Sequence, residues 1–203
     1  MKETTKHKIF LGLATLVFIW SAIGPKDYLT WSMEVAPAVI GFFILYFTYD
    51  RFRLSTLLYG CIALHAIILM VGGHYTYAEV PLFNWFKDIG LFARNNYDKV
   101  GHLAQGFFPS LVAREIFIRT SPLKPGKWLN FVIICVVLAI SALYELIEWA
   151  GALIMGDAAT DFLGTQGYVW DTQSDMWYAL IGGILALLLF SKIHDRAMKK
   201  LNK

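Results

Sequence analysis

The sequence predicts an all-α, polytopic transmembrane helix bundle of about six spans, with a short interfacial helix before span four. Three observations predict it. Hydrophobic residues make up 57% of the 203 residues and charged residues only 16%, whereas a soluble domain is about a quarter charged. The apolar residues gather in runs of about 15–24, the length that crosses a hydrocarbon core roughly 30 Å thick. The connections between these runs are short and hold the Gly, Pro and charged residues. Residues 1–203 therefore read as a single membrane domain with no large soluble part.

The spans follow in order. Residues 9–23 form the first apolar run. It has the length of a secretory leader, but the tract GPKDYLTW after it offers no small-x-small cleavage site, so a retained helix is expected. Residues 33–49 form the second span, closed by the basic turn at Arg51 and Arg53, and residues 54–72 the third. The connection 73–96 is too aromatic for a solvated loop. Leu82, Phe86, Ile89 and Ala93 recur at helical spacing behind Pro81, which predicts an interfacial helix over 81–93 with Phe83 and Trp85 as belt residues. Spans four, five and six are expected over 98–118, 128–151 and 172–191, and a basic tail follows. Cys61 and Cys135 lie in apolar runs without CxxC spacing and read as buried packing residues.

Charge fixes the expected orientation. Six spans put both ends on one side, and that side collects 14 of the 18 basic residues; only Lys26, Lys87, Arg94 and Lys99 lie opposite. The positive-inside rule then makes both ends cytoplasmic. The net charge of +3 itself says little about partners. The expected surroundings are the lipid bilayer, with no nucleic acid.

The acids show the reverse bias: 11 of 15 lie on or near the outer face. At about 1.5 Å per residue, three same-face pairs reach one shallow outer layer: Asp98/His102, Glu145/Glu148 and Asp171/Asp175. Each has a plainer reading beside the functional one. Asp98 suits the positive end of its helix. Thr172 to Asp175 matches a capping box. His102 suits a packed, hydrogen-bonded histidine. Glu145 and Glu148 in YELIEW resist such readings, because they meet the negative end of their helix among apolar neighbours. They are protonated, paired with Arg94 or Lys99, or bound to a cation.

Carboxylates with one imidazole suit a divalent cation. Asp98, Glu145, Glu148, Asp171 and Asp175 are the candidate ligands, and His102, Glu145 and Glu148 the candidate catalytic groups. One function is metal-dependent chemistry on a lipid or lipid-linked substrate at the periplasmic face. A second is a small transporter or ion-binding protein that uses the same acids. A third is a non-catalytic protein whose polar network locks the helices. Arg114–Glu115 reads as a local charge pair and anchor, His65 as a packed core residue, His74 as an interface residue, and Gly182 with Ala186 as a close helix contact.

The tracts PLFNWFKDIGLFARNNYDKVGHLAQGFFPSLVAREIFIR, SALYELIEW and DFLGTQGYVWDTQSDM resemble the YjdF-like family of bacterial inner membrane proteins. The resemblance implies an inner-membrane location and a multi-pass topology. It implies no reaction and transfers no catalytic residue.

Overall fold

The computed structural model describes residues 2–155 and 168–201. Among these residues there are seven helices and no strand. They are α1 (Glu3–Ser21), α2 (Tyr28–Thr48), α3 (Thr56–His74), α4 (Pro81–Asp88), α5 (Tyr97–Thr120), α6 (Lys127–Met155) and α7 (Asp171–Met198). Four of them, α2, α3, α6 and α7, are long and apolar enough to cross a membrane. Helices α1 and α5 have comparable lengths, 19 and 24 residues, but their charged and polar residues leave no equally apolar 18-residue stretch. Among the described residues, length and composition alone thus support four spans and do not confirm the expected six.

The reason α5 falls below an apolar threshold is its position. It packs against α3, α6 and α7 at the centre of the bundle. Its polar residues Asp98, Lys99, His102, Arg114 and Glu115 are all buried. The outside is apolar instead: Phe47, Trp128, Leu153 and Leu188 are largely exposed. An apolar exterior around a polar interior is the arrangement a bilayer selects.

Contacts give the helix directions. His7 meets Thr56, and His74 meets Ser21, so α1 and α3 run together. Lys99 meets Asp171 at the starts of α5 and α7, and Glu115 meets His194 near their ends, so these two are parallel. Glu145 near the end of α6 meets His102 near the start of α5, so α6 is antiparallel to both. The beginning of α1 and the end of α7 share one end of the bundle, where Glu3, Lys6, Arg196 and Lys200 line a common crevice.

Helices α5 and α7 approach almost backbone to backbone. A Cβ on Gly106 would run into the Ala179 carbonyl, and one on Gly182 into the Leu103 carbonyl. Ala179 and Ala186, on the same face of α7, are fully buried. Small residues at this spacing permit close packing where lipid supplies no hydrophobic drive between helices. Around this seam, Leu54, Leu58, Phe108 and Leu111 fill one side, and Leu129, Ile133 and Val137 the other.

Several element boundaries differ from expectation. Helix α4 stops at Asp88 because Gly90 takes a left-handed φ of 76°. Helix α7 starts at Asp171 behind Trp170, so Thr172 lies inside the helix and is not the N-cap of a capping box. Helix α7 also continues to Met198, because His194 and Asp195 find buried partners on α5. Cys61 is buried as expected, but Cys135 is exposed on the outer surface.

Gly106→Val should force α5 from α7 and destabilise the protein by several kcal/mol, on the order of 3. Gly12→Val, where nothing lies within 4 Å, should cost under about 1 kcal/mol in the same detergent unfolding measurement. At the start of α2, Asp27 accepts from the Thr30 amide at 2.7 Å. That bond, helped by the Thr30 hydroxyl, holds the Asp27 carboxyl below its ordinary 3.8. Asp27→Ala should therefore cost about 1 kcal/mol at neutral pH. A depressed folded value means the contribution is full above pH 3.8 and is lost as pH falls through the folded value, so the two proteins should converge in acid.

Candidate functional site

The site is assembled at the start of α5. Asn95 fixes that start: its Oδ1 accepts from the Tyr97 amide at 3.1 Å, and its Nδ2 donates to the Val80 carbonyl and to Asn84 Oδ1. This ties α4 to α5 and sets Arg94 beside the first turn.

Two layers follow. The first is an ion-pair layer. The Arg94 guanidinium donates to Asp98 at 3.0 Å and to Asp171 at 2.9 Å. The Lys99 ammonium lies 2.6 Å from Asp175, 3.0 Å from Asp171 and 3.2 Å from Asp98. None of these five side chains is more than 16% exposed. The Tyr168 ring lies over both cations, its centroid 4.9 Å from the Arg94 Cζ and 5.6 Å from the Lys99 Nζ.

The second layer holds His102 (α5), Glu145 (α6) and the other oxygen of Asp175 (α7). His102 Nε2 stands 3.6 Å from Asp175 Oδ2, and Nδ1 stands 3.9 Å from Glu145 Oε1. Both separations exceed a hydrogen bond. His102 Nδ1 is instead 3.1 Å from Gln105 Oε1. With the proton donated there, Nε2 presents a lone pair to Asp175. Glu145 Oε1 is buried without a hydrogen-bond partner, on a side chain only 7% exposed. One donor atom from each of these three residues lies within 4.8 Å of the others.

The expected residues therefore converge, but they divide. Asp98 and Asp171 belong to the ion-pair layer. Their oxygens also group with Asp175 closely enough to hold an ion, yet the Lys99 ammonium already lies among them. Glu148 is half-buried and lies within electrostatic reach of Glu145, Asp175 and Glu34 rather than inside the trio. Arg94 and Lys99 pair with the aspartates, not with the two glutamates.

Sequence reasoning gave no role to Glu34, Tyr77 and Tyr144. Glu34, 6% exposed on α2, accepts from the Tyr144 hydroxyl at 2.8 Å, and Tyr77 also reaches it. The Tyr144 ring lies 6.2 Å from that of His102, which extends the polar layer from α5 to α2. Tyr77 enters through an unusual turn: Thr76 and Tyr77 both take left-handed φ values, 54° and 55°. Such backbone costs about 1–3 kcal/mol per residue. The ring fits because Gly72 and Gly101 leave its slot empty; a Cβ on Gly101 would stand 2.8 Å from it. A lone carboxylate in an apolar run was the available signal for Glu34; nothing local announces Tyr77.

At the opposite end, Arg114 and Glu115 are not a pair with each other. Glu115 is fully buried and accepts from the Ser55 amide, from Arg119 at 2.7 Å and from His194 Nε2 at 2.9 Å. Arg114 pairs with Asp195 at 2.7 Å. Adjacent residues on a helix point about 100° apart, so neighbours in sequence find different partners. His65 stacks on Phe108 in the core, and His74 meets the Ser21 carbonyl.

Comparison with known proteins supplies the wider setting. The family described as "Predicted membrane protein (DUF2238)" matches residues 6–196. The Escherichia coli (strain K12) "Inner membrane protein YjdF" is 51% identical over 187 residues, covering 92% of this chain and 89% of that protein. No solved structure matches.

Lys99 is the pivot of the ion-pair layer. Lys99→Met should leave three buried carboxylates facing one guanidinium and cost about 3–5 kcal/mol in detergent unfolding. Lys26→Met, which breaks the half-exposed Lys26–Glu79 pair, should cost under about 1 kcal/mol.

Proposed function

The chain belongs to the DUF2238 family of membrane proteins, and on that premise we propose a single-domain, six-span inner-membrane protein with both ends cytoplasmic. It holds one divalent cation through His102, Glu145 and Asp175 near the periplasmic face. The topology is supported by the meeting of α1 and α7 at one end of the bundle and by the 14 basic residues expected there. Helices α1 and α5 supply the two further spans; Asp98, Lys99, Arg114 and Glu115 of α5 are buried in the bundle interior.

One observation carries the cation reading: the buried, unpartnered Glu145 Oε1 beside two more donors. The spacing agrees. Two donors each about 2.1 Å from a shared ion stand roughly 3.4 Å apart at a tetrahedral angle, and His102 Nε2 and Asp175 Oδ2 are 3.6 Å apart. Gln105 fixes the His102 tautomer, as partners of ligating histidines do. Asp98 and Asp171 hold Lys99 and Arg94 in place, and Lys99 orients Asp175. Glu148 stands behind the ligands as the candidate base.

A cation there polarises a phosphoryl oxygen or lowers the pKa of water. The substrate class that fits the location is a lipid or lipid-linked molecule. Trp149, Trp170 and Trp177 are exposed at this same end and form an aromatic rim at the bilayer boundary. A second reading, a proton-linked transporter, is favoured by the Tyr144–Glu34 hydrogen bond, which continues the acid layer away from the ion pairs.

Metal analysis of the purified, folded protein tests the reading. After equilibration with Mg, Mn or Zn and gel filtration, the wild type should retain about one equivalent of at least one of these metals. Glu145→Gln and Asp175→Asn should lose it, and Asp98→Asn should keep it. A wild type that retains none, with uptake driven by a proton gradient, would establish the second reading instead.

A further inference from the structure

A crevice of about 490 Å³ opens at the other end of the bundle, far from the His102 layer. It exists because α1 leans on α3 while α7 leans on α5 and α6, which leaves a gap between the start of α1 and the end of α7. The walls include Lys6, Arg53, Arg196 and Lys200, with Glu3 as the sole acid among its lining residues. Glu3 pairs with Lys6 at 2.9 Å. Arg53 is 3.6 Å from the exposed Asp50. Arg196 and Lys200 form no ion pair among the described residues, so the crevice keeps excess positive charge.

His7 closes the floor and contributes no free group: its Nδ1 is 2.8 Å from the Tyr49 hydroxyl and its Nε2 2.6 Å from the Thr56 hydroxyl. The remaining lining is apolar. Leu57, Ile193, Ala197 and Leu201 share the walls with the bases, and Ile193 is exposed to the surroundings of the bundle. The crevice thus joins a cationic cup to a greasy flank at the end of the spans.

We infer that this crevice between the ends of α1, α3 and α7 binds the phosphate headgroup of an anionic phospholipid. Arg53 and Arg196 offer planar forks to phosphate oxygens, and Lys6 and Lys200 add point charges. The acyl chains run along Leu57 and Ile193 into the bilayer. A basic pocket between membrane helices favours a headgroup of net negative charge over a zwitterionic one, whose own ammonium offsets its phosphate and is repelled by the surrounding bases. The inference does not depend on the cation reading at the opposite end.

The full-length protein in a non-ionic detergent is titrated with phosphatidylglycerol, phosphatidylcholine, glycerol 3-phosphate or inorganic phosphate, with the thermal unfolding midpoint as readout. Phosphatidylglycerol should stabilise the wild type, and the other three should not at matched concentration. Arg196→Gln with Lys200→Gln removes the two unpaired bases and should weaken the phosphatidylglycerol response roughly 30-fold in half-maximal concentration. Arg51→Gln, a basic change nearby that does not line the crevice, should respond as wild type. Equal stabilisation by phosphatidylcholine would overturn the proposal, as would an unchanged response in the double variant. Full stabilisation by glycerol 3-phosphate or inorganic phosphate would show a site for free phosphate and not for lipid.

Discussion

The close contact of α5 with α7 is the constraint on which the rest of the structure depends. Two glycines, Gly106 and Gly182, let each helix approach the other's carbonyls. In lipid this contact must come from van der Waals packing and polar links, because lipid is as apolar as the helix faces. The seam fixes the register of two parallel helices from Lys99 to Glu115, a rise of about 24 Å. With that register set, Lys99 falls opposite Asp175 at one end, and Glu115 falls opposite His194 at the other. A shift of one turn would separate both sets.

The two polar clusters are alike in burial and differ in how their central carboxylates are partnered. Both oxygens of Glu115 are engaged, by an amide, a guanidinium and an imidazole. The Glu115 carboxylate is thus fully partnered and joins α3, α5 and α7, although Ser55 Oγ and Arg114 Nε beside it are buried without a partner. The cluster at the start of α5 is fully paired only in its ion-pair layer. One step deeper, Glu145 keeps a bare oxygen beside a histidine and an aspartate that stand too far apart to bond directly. A buried carboxylate oxygen without a partner is costly. The bare Glu145 oxygen beside two further donors, and not acidity as such, is what the proposed cation reading rests on.

Much of this was legible in the sequence. The apolar runs gave helices in the right places, and the i,i+4 and i,i+3 spacings put His102, Glu145 and Asp175 at one depth. Glu145 stood out because no capping rule explained it. What could not be read is which acid meets which base. Depth follows from residue count, but facing follows from packing, and packing turned Lys99 toward three aspartates instead of the glutamates. The run at 98–118 was legible as a helix, and its charges are carried because neighbouring helices, not lipid, surround them. Tyr77 was out of reach for a different reason. Its place depends on two left-handed residues and two glycines on separate helices, Gly72 and Gly101, a pattern without a local signature.

A double-mutant cycle across Glu115 and His194 tests the α5–α7 register most directly. These side chains lie 79 positions apart in sequence, bond at 2.9 Å and are wholly buried. Unfolding of Glu115→Gln, His194→Phe and the double variant should give a coupling energy of about 1–3 kcal/mol. Single effects that add to within about 0.5 kcal/mol would mean the two residues do not meet, and the register with both polar clusters built on it would be wrong.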